Sequence, residues 1–272
     1  MSYAVLADLA ARVAVFGIAA LSLDFILGLG GMASFGHAAY LAIGAYAVAI
    51  LDANAISSAP LVFAAAIGSC AAFALLSGAI ALRTGGVNFI MITLAFAQMV
   101  YFATGSLADY GGDDGYTLLG RTSLLGPRSY FAACLICLAL CYAFCRTAAA
   151  SRFGRALQAV RQNRVRVQAL GLSPFAIQLT AYVIAAAICG VAGVLLANGT
   201  EFVSPAYGAW QRSGDLLIMV MLGGAGTLHG AILGAAGVVV AEEMLGRLTE
   251  HWRLIYGPLL VCAVLSRRRR LR

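Results

Sequence analysis

The stretch APLVFAAAIGSCAAFALLSGAIAL, residues 59–82, holds 24 consecutive residues without a charged side chain. Residues 175–197 form a second such stretch of 23 residues, and residues 87–108 and 129–145 are also free of charge. An α-helix of about 20 apolar residues spans the hydrocarbon core of a bilayer. Because an N-terminal signal peptide would account for only one such segment, the pattern predicts several membrane-spanning helices.

The composition agrees with this interpretation. Hydrophobic residues make up 62% of the 272 positions, and charged residues make up only 11%. A soluble domain could not hide so much apolar surface from water. The last apolar segment, residues 254–266, has only 13 residues. We therefore predict an all-α, polytopic transmembrane helical bundle of about eight or nine membrane helices, which forms one domain over residues 1–272.

The positive charge is concentrated in two regions. All 18 basic residues are arginines, and six of them fall within residues 146–166 and five within 267–272. No acidic residue occurs in residues 115–200. An excess of Lys and Arg marks the cytoplasmic loops of membrane proteins. The segment 146–174 and the C-terminal tail are therefore predicted to be cytoplasmic, and the net charge of +7 does not require a nucleic-acid partner.

Two apolar regions are interrupted by glycine clusters. The sequence LGGMASFGH, residues 29–37, breaks the region 13–51, and LGGAGTLHG, residues 222–230, breaks the region 214–245. An unwound backbone at membrane depth is tolerated where it is buried in protein or lines a cavity. If the segment 146–174 and the C-terminal tail are cytoplasmic, both interrupted regions enter the membrane from outside and return outward. Paired breaks of this kind point to a transport pathway. The two breaks also resemble each other in sequence, which indicates either an internal duplication or a chance similarity of Ala/Gly-rich sequence.

Several polar residues near these breaks are candidates for the pathway. Asp24 is the only charge in its span, so it is either functional or interfacial. His37 and His229 follow the breaks and are expected to hydrogen-bond freed carbonyl groups rather than transfer protons. Asn88 and Gln98 could bond a polar substrate or neighbouring helices. The predicted pathway residues are Gly30, Gly31, Ser34, His37, Asn88, Gln98, Gly223, Gly224 and Thr227.

The predicted cytoplasmic loop contains a basic amphipathic segment. It begins with SRFGRALQAVRQN, residues 151–163, where Leu157 and Val160 belong to an apolar stripe at helical spacing. Gly171 is placed as the C-cap of this helix, with a proline shortly beyond it. Lipid headgroups would bind such a helix, and so would an apolar groove on a partner protein.

The chain lacks the residues of common catalytic and cofactor sites. It has no lysine and no GxxxxGK[ST] loop, so we expect no ATP or other cofactor in this chain. Cys134, Cys137, Cys141 and Cys145 share a helix face, but no His or acid lies nearby, which favours packing over a metal site. We therefore expect that this chain is not an enzyme. The alternative to a driven permease is an ion-coupled secondary transporter, although acids within the spans are scarce.

Four sequence blocks resemble the permease family of branched-chain amino acid ABC importers, particularly its LivM-like branch. The chain departs from the family at Met32, where Gln is usual, and at Arg164, where an acidic residue is common. The four blocks follow the order of the family along nearly the whole chain, and they are residues 21–46, 84–98, 151–171 and 220–228. A lesser match is the sequence GGDDG, residues 111–115, in the predicted outer loop.

The resemblance implies an inner-membrane permease subunit for branched-chain amino acids, urea, amides or aromatic acids. The implied partners are a second, LivH-like permease, two cytoplasmic ATPases that bind the ATP, and a periplasmic solute-binding protein. The binding protein is expected to dock at the outer loop with Asp113 and Asp114. The ATPases are expected to contact the cytoplasmic loop through Arg152, Phe153, Gly154, Arg155, Leu157, Val160, Arg161 and Gly171.

Overall fold

The computed structural model describes residues 3–120, 122 and 129–248. The predicted last apolar segment, residues 254–266, and the arginine tail, residues 267–272, lie outside the described residues. The division of the whole chain into one domain stays a prediction.

The described residues are almost entirely helical. A π-helical turn, Phe25–Leu29, continues the first helix, and two short strands, β1 (Tyr116–Thr117) and β2 (Phe202–Val203), form an antiparallel pair. The α-helices are α1 (Tyr3–Asp24), α2 (His37–Ala53), α3 (Ala59–Ala81), α4 (Val87–Gly105), α5 (Tyr130–Ala150), α6 (Arg152–Gln162), α7 (Arg164–Ala169), α8 (Pro174–Thr200), α9 (Trp210–Gly223) and α10 (His229–Leu248).

Helix length separates two groups of apolar helices. Six segments in the described residues are long and apolar enough to cross a membrane. They are α1 with its π-helical extension, α3, α4, α5, α8 and α10. Helices α2 and α9 have only 17 and 14 residues, because α2 begins after the first glycine break and α9 ends at the second. The predicted all-α polytopic fold with two interrupted segments is confirmed.

Helix α8 lies at the centre of the bundle and packs against α1, α2 and α3. Small residues allow these helices to approach closely. Gly44 on α2 packs against the backbone of Gly190, and Gly193 packs against the carbonyl group of Leu41. Such contacts between small residues stabilise helix pairs in lipid, where no hydrophobic effect drives association.

Substitution of Gly193 by Ala is expected to destabilise the protein by about 1–3 kcal/mol, because the added methyl group overlaps the Leu41 carbonyl. Ala is the better helix former, so propensity alone predicts the opposite sign. Gly68 on α3 is the matched control, since a methyl group there meets no atom within 4 Å. Thermal unfolding in detergent measures both variants, and equal melting temperatures would contradict the packing argument.

The bundle has two chemically different ends. At the arginine-rich end, α6 and the turn between α3 and α4 share a cavity bounded by Arg161 and Thr84. At the acidic end, β1 pairs with β2, and the carboxylate of Asp52 accepts a hydrogen bond of 2.7 Å from the backbone N–H of Leu119. Both glycine breaks lie at the arginine-rich end, as the threading of the spans predicts. The cytoplasmic location of that end stays a prediction.

Candidate functional site

The two glycine breaks meet at the arginine-rich end. Gly28 packs directly on Gly226, so a Cβ atom at Gly28 would fall on the Gly226 backbone. Gly31, Gly224 and Gly226 have φ angles of 69°, 101° and 88°. Glycine adopts this left-handed region without steric penalty. The glycines therefore permit a close approach of two loops and the sharp changes of chain direction within them.

Asp24 joins the two breaks. Its side chain is fully buried at the end of α1, and its carboxylate accepts hydrogen bonds from the backbone N–H groups of Gly226 at 2.6 Å and Leu228 at 2.9 Å. Hydrogen bonds to an ionised acceptor are among the strong ones. Asp24 therefore fixes the second break against the first.

Arg161 connects α6 to the first break. Its guanidinium group donates a hydrogen bond to the carbonyl oxygen of Gly28. The aliphatic part of its side chain lies against Gly31, where a Cβ atom would be 2.9 Å from Arg161 Cγ. The sequence placed Arg161 among residues that contact a partner; the structure directs this side chain to the glycine break of its own chain.

Two cavities flank α6 at this contact. A cavity of about 510 Å³ lies between α6 and both breaks and is bounded by Gln158, Arg161 and Gly226. Another of about 450 Å³ lies towards the turn between α3 and α4, next to Gly30 and Val160. Packed protein interiors resist displacement because they contain few voids. The cavities leave α6 room to shift relative to the breaks.

The basic amphipathic segment consists of two helices, where the sequence predicted one. Asn163 separates α6 from α7, and its side-chain oxygen accepts a hydrogen bond of 2.9 Å from the backbone N–H of Arg166. An Asn in this position is a favoured N-cap, which ends the first helix and begins the second. Gly171 has a φ angle of 79° just after α7, in agreement with its predicted role as a stop signal.

One face of α6 is anchored in the bundle. Leu157 and Val160 are buried, and Gly154 packs against the backbone of α5. The N-cap is Ser151, whose hydroxyl accepts a hydrogen bond from the Gly154 N–H. Of the other predicted coupling residues, Phe153 is half-buried, whereas Arg152 and Arg155 are exposed.

Exposed apolar side chains follow α6 along the chain, on and just after α7. Val165 and Leu170 are 74% and 73% exposed, and Leu172 is also exposed. Leu170 continues the apolar stripe of the sequence beyond the break at Asn163, and in the structure it is exposed. Three exposed apolar side chains among arginines form a surface suited to a partner, which we call the docking surface: Arg152, Arg155, Val165, Leu170 and Leu172.

Hydroxyl side chains stabilise the first break from the opposite side. Thr93 on α4 accepts a hydrogen bond from the Phe35 N–H at 3.2 Å, and Ser213 on α9 accepts one from the Ala38 N–H at 3.0 Å. The hydroxyl of Ser34 accepts one from the Gly36 N–H at 3.1 Å. These acceptors occupy the free N–H groups at the start of α2. The sequence singled out Ser34 alone, since isolated hydroxyl residues in a span give little signal.

The hydrogen bonds predicted for the His37 ring are not found among the described residues, whereas its place in the pathway stays a prediction. Its ring is fully buried, and neither ring nitrogen has a hydrogen-bond partner among the described residues. The ring packs edge-on against Tyr40, with centroids 5.8 Å apart. His229 is exposed at the start of α10. Thr227 is exposed and donates its hydroxyl hydrogen to the Gly224 carbonyl at 2.7 Å, so it stabilises the second break from within.

The remaining predicted residues lie apart from the joined breaks. Asn88 is exposed near the start of α4. Gln98, on the same helix, is half-buried, and its side-chain nitrogen has no partner among the described residues. Asp113 and Asp114 are exposed at the acidic end. The described residues contain no group of three His, Cys, Asp or Glu side chains that could hold a metal ion.

The fold and the joined breaks define a multi-pass helical membrane protein. The family model for the permease component of the branched-chain amino acid transport system matches residues 5–264. The chain belongs to this family of ABC transporter permeases.

Individual relatives agree with this assignment. The high-affinity branched-chain amino acid transport system permease protein LivM of Salmonella typhimurium is 29% identical over an alignment that covers 96% of this chain and 68% of LivM. BraD of Pseudomonas aeruginosa is 26% identical, over 84% of this chain and 80% of BraD. LivH of Salmonella typhimurium is 30% identical over 42% of this chain and 38% of LivH. No solved structure matches the chain.

Proposed function

We propose that the chain is the membrane-spanning permease subunit of a bacterial ABC importer. The cargo is a branched-chain amino acid or a related small polar solute. A periplasmic binding protein delivers the solute at the acidic end, and two ATPases drive transport from the arginine-rich end, which faces the cytoplasm. The ATPases bind the ATP, and this chain holds no cofactor. A second, LivH-like permease completes the pathway.

The observation that carries this proposal is a continuous series of contacts from α6 to both breaks. Arg161 binds the carbonyl of Gly28, Gly28 packs on Gly226, and Asp24 holds the N–H of Gly226. A displacement of α6 therefore reaches the first break directly and the second through a single further contact. Rigid shifts of helices at interfaces are a common means of switching between conformations.

The ATPases drive the permease through the difference between their binding free energies for its two conformations. The ATPases change the permease only if they bind its two conformations with different affinities. In the described conformation, the hydrogen bonds of Asp24 and Arg161 join the two breaks. Movement of the ATPases pulls on α6 and α7 through the docking surface, weakens the Arg161 contact and lets the breaks separate. Solute then passes the arginine-rich end.

The acidic end suits the binding protein. Asp113 and Asp114 are exposed there on a loop held by the pairing of Tyr116 with Val203. Complementary charges across an interface speed association and select the correct partner. The relative LivH supports a paired permease, because its name assigns it to the same kind of transport system as LivM.

Substitution of Val165 and Leu170 by Asp tests the docking surface. Both side chains are exposed, so the change leaves the interior of the bundle intact while placing acids where a partner would bury apolar groups. Co-purification of the ATPases with the permease is expected to fall about tenfold or more, as loss of two apolar anchors implies. Leu157 is unsuitable for this test because it is fully buried.

The matched control is Leu119→Asp, which alters a side chain that is 83% exposed at the acidic end. It is expected to leave ATPase association unchanged. Equal association of the double variant and the control would contradict the assignment of the docking surface. Uptake by the purified chain alone in liposomes, under a proton or sodium gradient, would favour the secondary transporter over the importer.

A further inference from the structure

The cavity between α6 and the turn that joins α3 to α4 is positively charged and reaches the outer surface of α4. Its volume is about 450 Å³, within the range of small-molecule pockets. Its lining includes Arg161 of α6, Arg164 of α7 and Val87, the first residue of α4. Val87 is also 65% exposed. The cavity therefore opens beside a helix that is long and apolar enough to cross a membrane.

The positive charge of the cavity has no acidic counterpart. The lining contains no acidic residue, and neither do the helices α3 to α8. Both ion pairs found among the described residues lie elsewhere, and Arg164 forms none of them. Arg161 donates to the carbonyl group of Gly28, which leaves most of its five N–H donors free. The two arginines can therefore bind an anionic ligand.

A buried acceptor in the same lining indicates a second requirement of the ligand. The side-chain oxygen of Gln178, on α8, is buried and has no hydrogen-bond partner among the described residues. Buried polar groups in proteins are almost always hydrogen-bonded, and an amide oxygen can only accept. A ligand that fits this cavity therefore carries a hydrogen-bond donor as well as a negative charge.

The rest of the lining is apolar or consists of backbone. Leu82, Phe89 and Val160 form the apolar part. At the turn, a Cβ atom on Gly85 or Gly86 would meet no atom within 4 Å, so space for a ligand remains beside the backbone. Gly86 is also the N-cap of α4 and offers no side chain to the N–H groups of the first turn. Such N–H groups favour an anion nearby.

We propose that this cavity binds the headgroup of an anionic phospholipid with a free hydroxyl group, namely phosphatidylglycerol. The phosphate accepts hydrogen bonds from Arg164 and Arg161, and a glycerol hydroxyl of the headgroup donates to Gln178. The acyl chains leave the cavity past Val87 and lie along α4. Guanidinium groups bind phosphate oxygens through short, charge-assisted hydrogen bonds. The proposal does not depend on the importer function.

The surroundings of the cavity favour a lipid over other anions. Val87 and Met91 are one helical turn apart on α4 and are 65% and 58% exposed, so they present one apolar face outside the bundle. Acyl chains cover such a face, whereas a soluble phosphodiester does not. A carboxylate side chain of a partner protein supplies negative charge but has no hydrogen to donate, so it would leave the oxygen of Gln178 unpaired. Phosphatidylethanolamine has no net negative charge.

Native mass spectrometry of the protein, purified with its partner subunits and titrated with phosphatidylglycerol, tests the site. The comparison lipid is phosphatidylmethanol with the same acyl chains, which keeps the charged phosphodiester and lacks the headgroup hydroxyls. Saturable binding of phosphatidylglycerol is expected. Phosphatidylmethanol is expected to bind about tenfold more weakly, as loss of a hydrogen bond to a buried acceptor implies. Phosphatidylethanolamine is expected to bind about tenfold or more weakly, because it lacks the net charge.

Variants of the two polar contacts have different expected effects. Gln178→Leu is expected to lower the affinity for phosphatidylglycerol about tenfold and to leave that for phosphatidylmethanol unchanged, which also shows that the variant is folded. Arg164→Gln is expected to weaken both lipids about tenfold or more, and Arg164→Lys to recover part of the loss. The controls Gln168→Leu and Arg166→Gln alter exposed side chains outside the lining and are expected to bind both lipids normally.

Three results would overturn the lipid site. The first is equal affinity for phosphatidylglycerol and phosphatidylmethanol in the unmodified protein. The second is unchanged lipid affinity in Arg164→Gln, and loss of ATPase association in that variant at the same time would assign the cavity to the ATPases. The third concerns soluble glycerophosphoglycerol, the headgroup without acyl chains, which is expected to compete only at about 100-fold higher concentration because it buries no apolar chain. Competition at equal concentration would show that the occupant is a soluble phosphodiester.

Discussion

Replacement of Asp24 by Ala is expected to produce the largest loss of stability in the chain. The side chain is fully buried, and its carboxylate is the acceptor for the backbone N–H groups of Gly226 and Leu228. Each buried N–H group left without an acceptor costs about 1–3 kcal/mol, so the variant is expected to lose about 2–6 kcal/mol. Thermal unfolding in detergent and the monodisperse fraction in gel filtration measure this loss.

The Asn variant separates charge from hydrogen bonding. Asp24→Asn keeps the shape of the side chain and one acceptor oxygen, but its NH₂ group faces the second N–H donor. Its stability is expected to lie between those of Asp24 and Ala. Asp52→Asn is the control, because Asp52 accepts a backbone N–H at the acidic end without being buried. A melting temperature of Asp24→Ala equal to that of the control would show that Asp24 does not hold the second break.

Local sequence signals were enough to predict the spans and both glycine breaks. Absence of charge over more than 20 residues specifies a spanning helix by itself, and consecutive glycines specify a break by themselves. The contact between the breaks could not be predicted, because Asp24 and Gly226 are 202 residues apart. A single acid in a span is equally compatible with an interfacial position, a proton carrier and the backbone acceptor that it proves to be.

Two failures at individual residues have physical causes. The apolar stripe of the basic segment continues past Asn163, so periodicity alone indicated one helix, whereas the Asn side chain binds the Arg166 N–H and starts a new one. His37 was expected to bond freed carbonyl groups, but neither ring nitrogen has a partner among the described residues, and the ring is packed against Tyr40. Thr93 and Ser213, which the sequence did not single out, accept hydrogen bonds from the N–H groups of this break. The relative positions of the helices decide which side chain reaches a loop, and sequence patterns do not specify those positions.

The Gln variant of Arg161 is expected to separate ATP hydrolysis from transport. Arg161 contacts Gly28 and Gly31 of its own chain and is not part of the docking surface. The ATPases should therefore still bind and hydrolyse ATP. A hydrogen bond from a charged group contributes about 1.5–3 kcal/mol, so its loss is expected to lower solute uptake about 10- to 100-fold. Uptake and ATP hydrolysis are measured on the same proteoliposomes.

Two further variants decide whether the effect comes from this one contact. Arg161→Lys keeps the positive charge but lacks the planar guanidinium group, so it is expected to recover only part of the uptake. Arg83→Gln removes an exposed arginine at the same end without touching either break, and it is expected to transport normally. Because loss of charge is common to Arg161→Gln and Arg83→Gln, the contacts of Arg161 with Gly28 and Gly31 distinguish them. Normal uptake by Arg161→Gln would mean that movement of α6 reaches the breaks by another route. A parallel loss of uptake and of ATPase association would mean that Arg161 acts in docking of the ATPases.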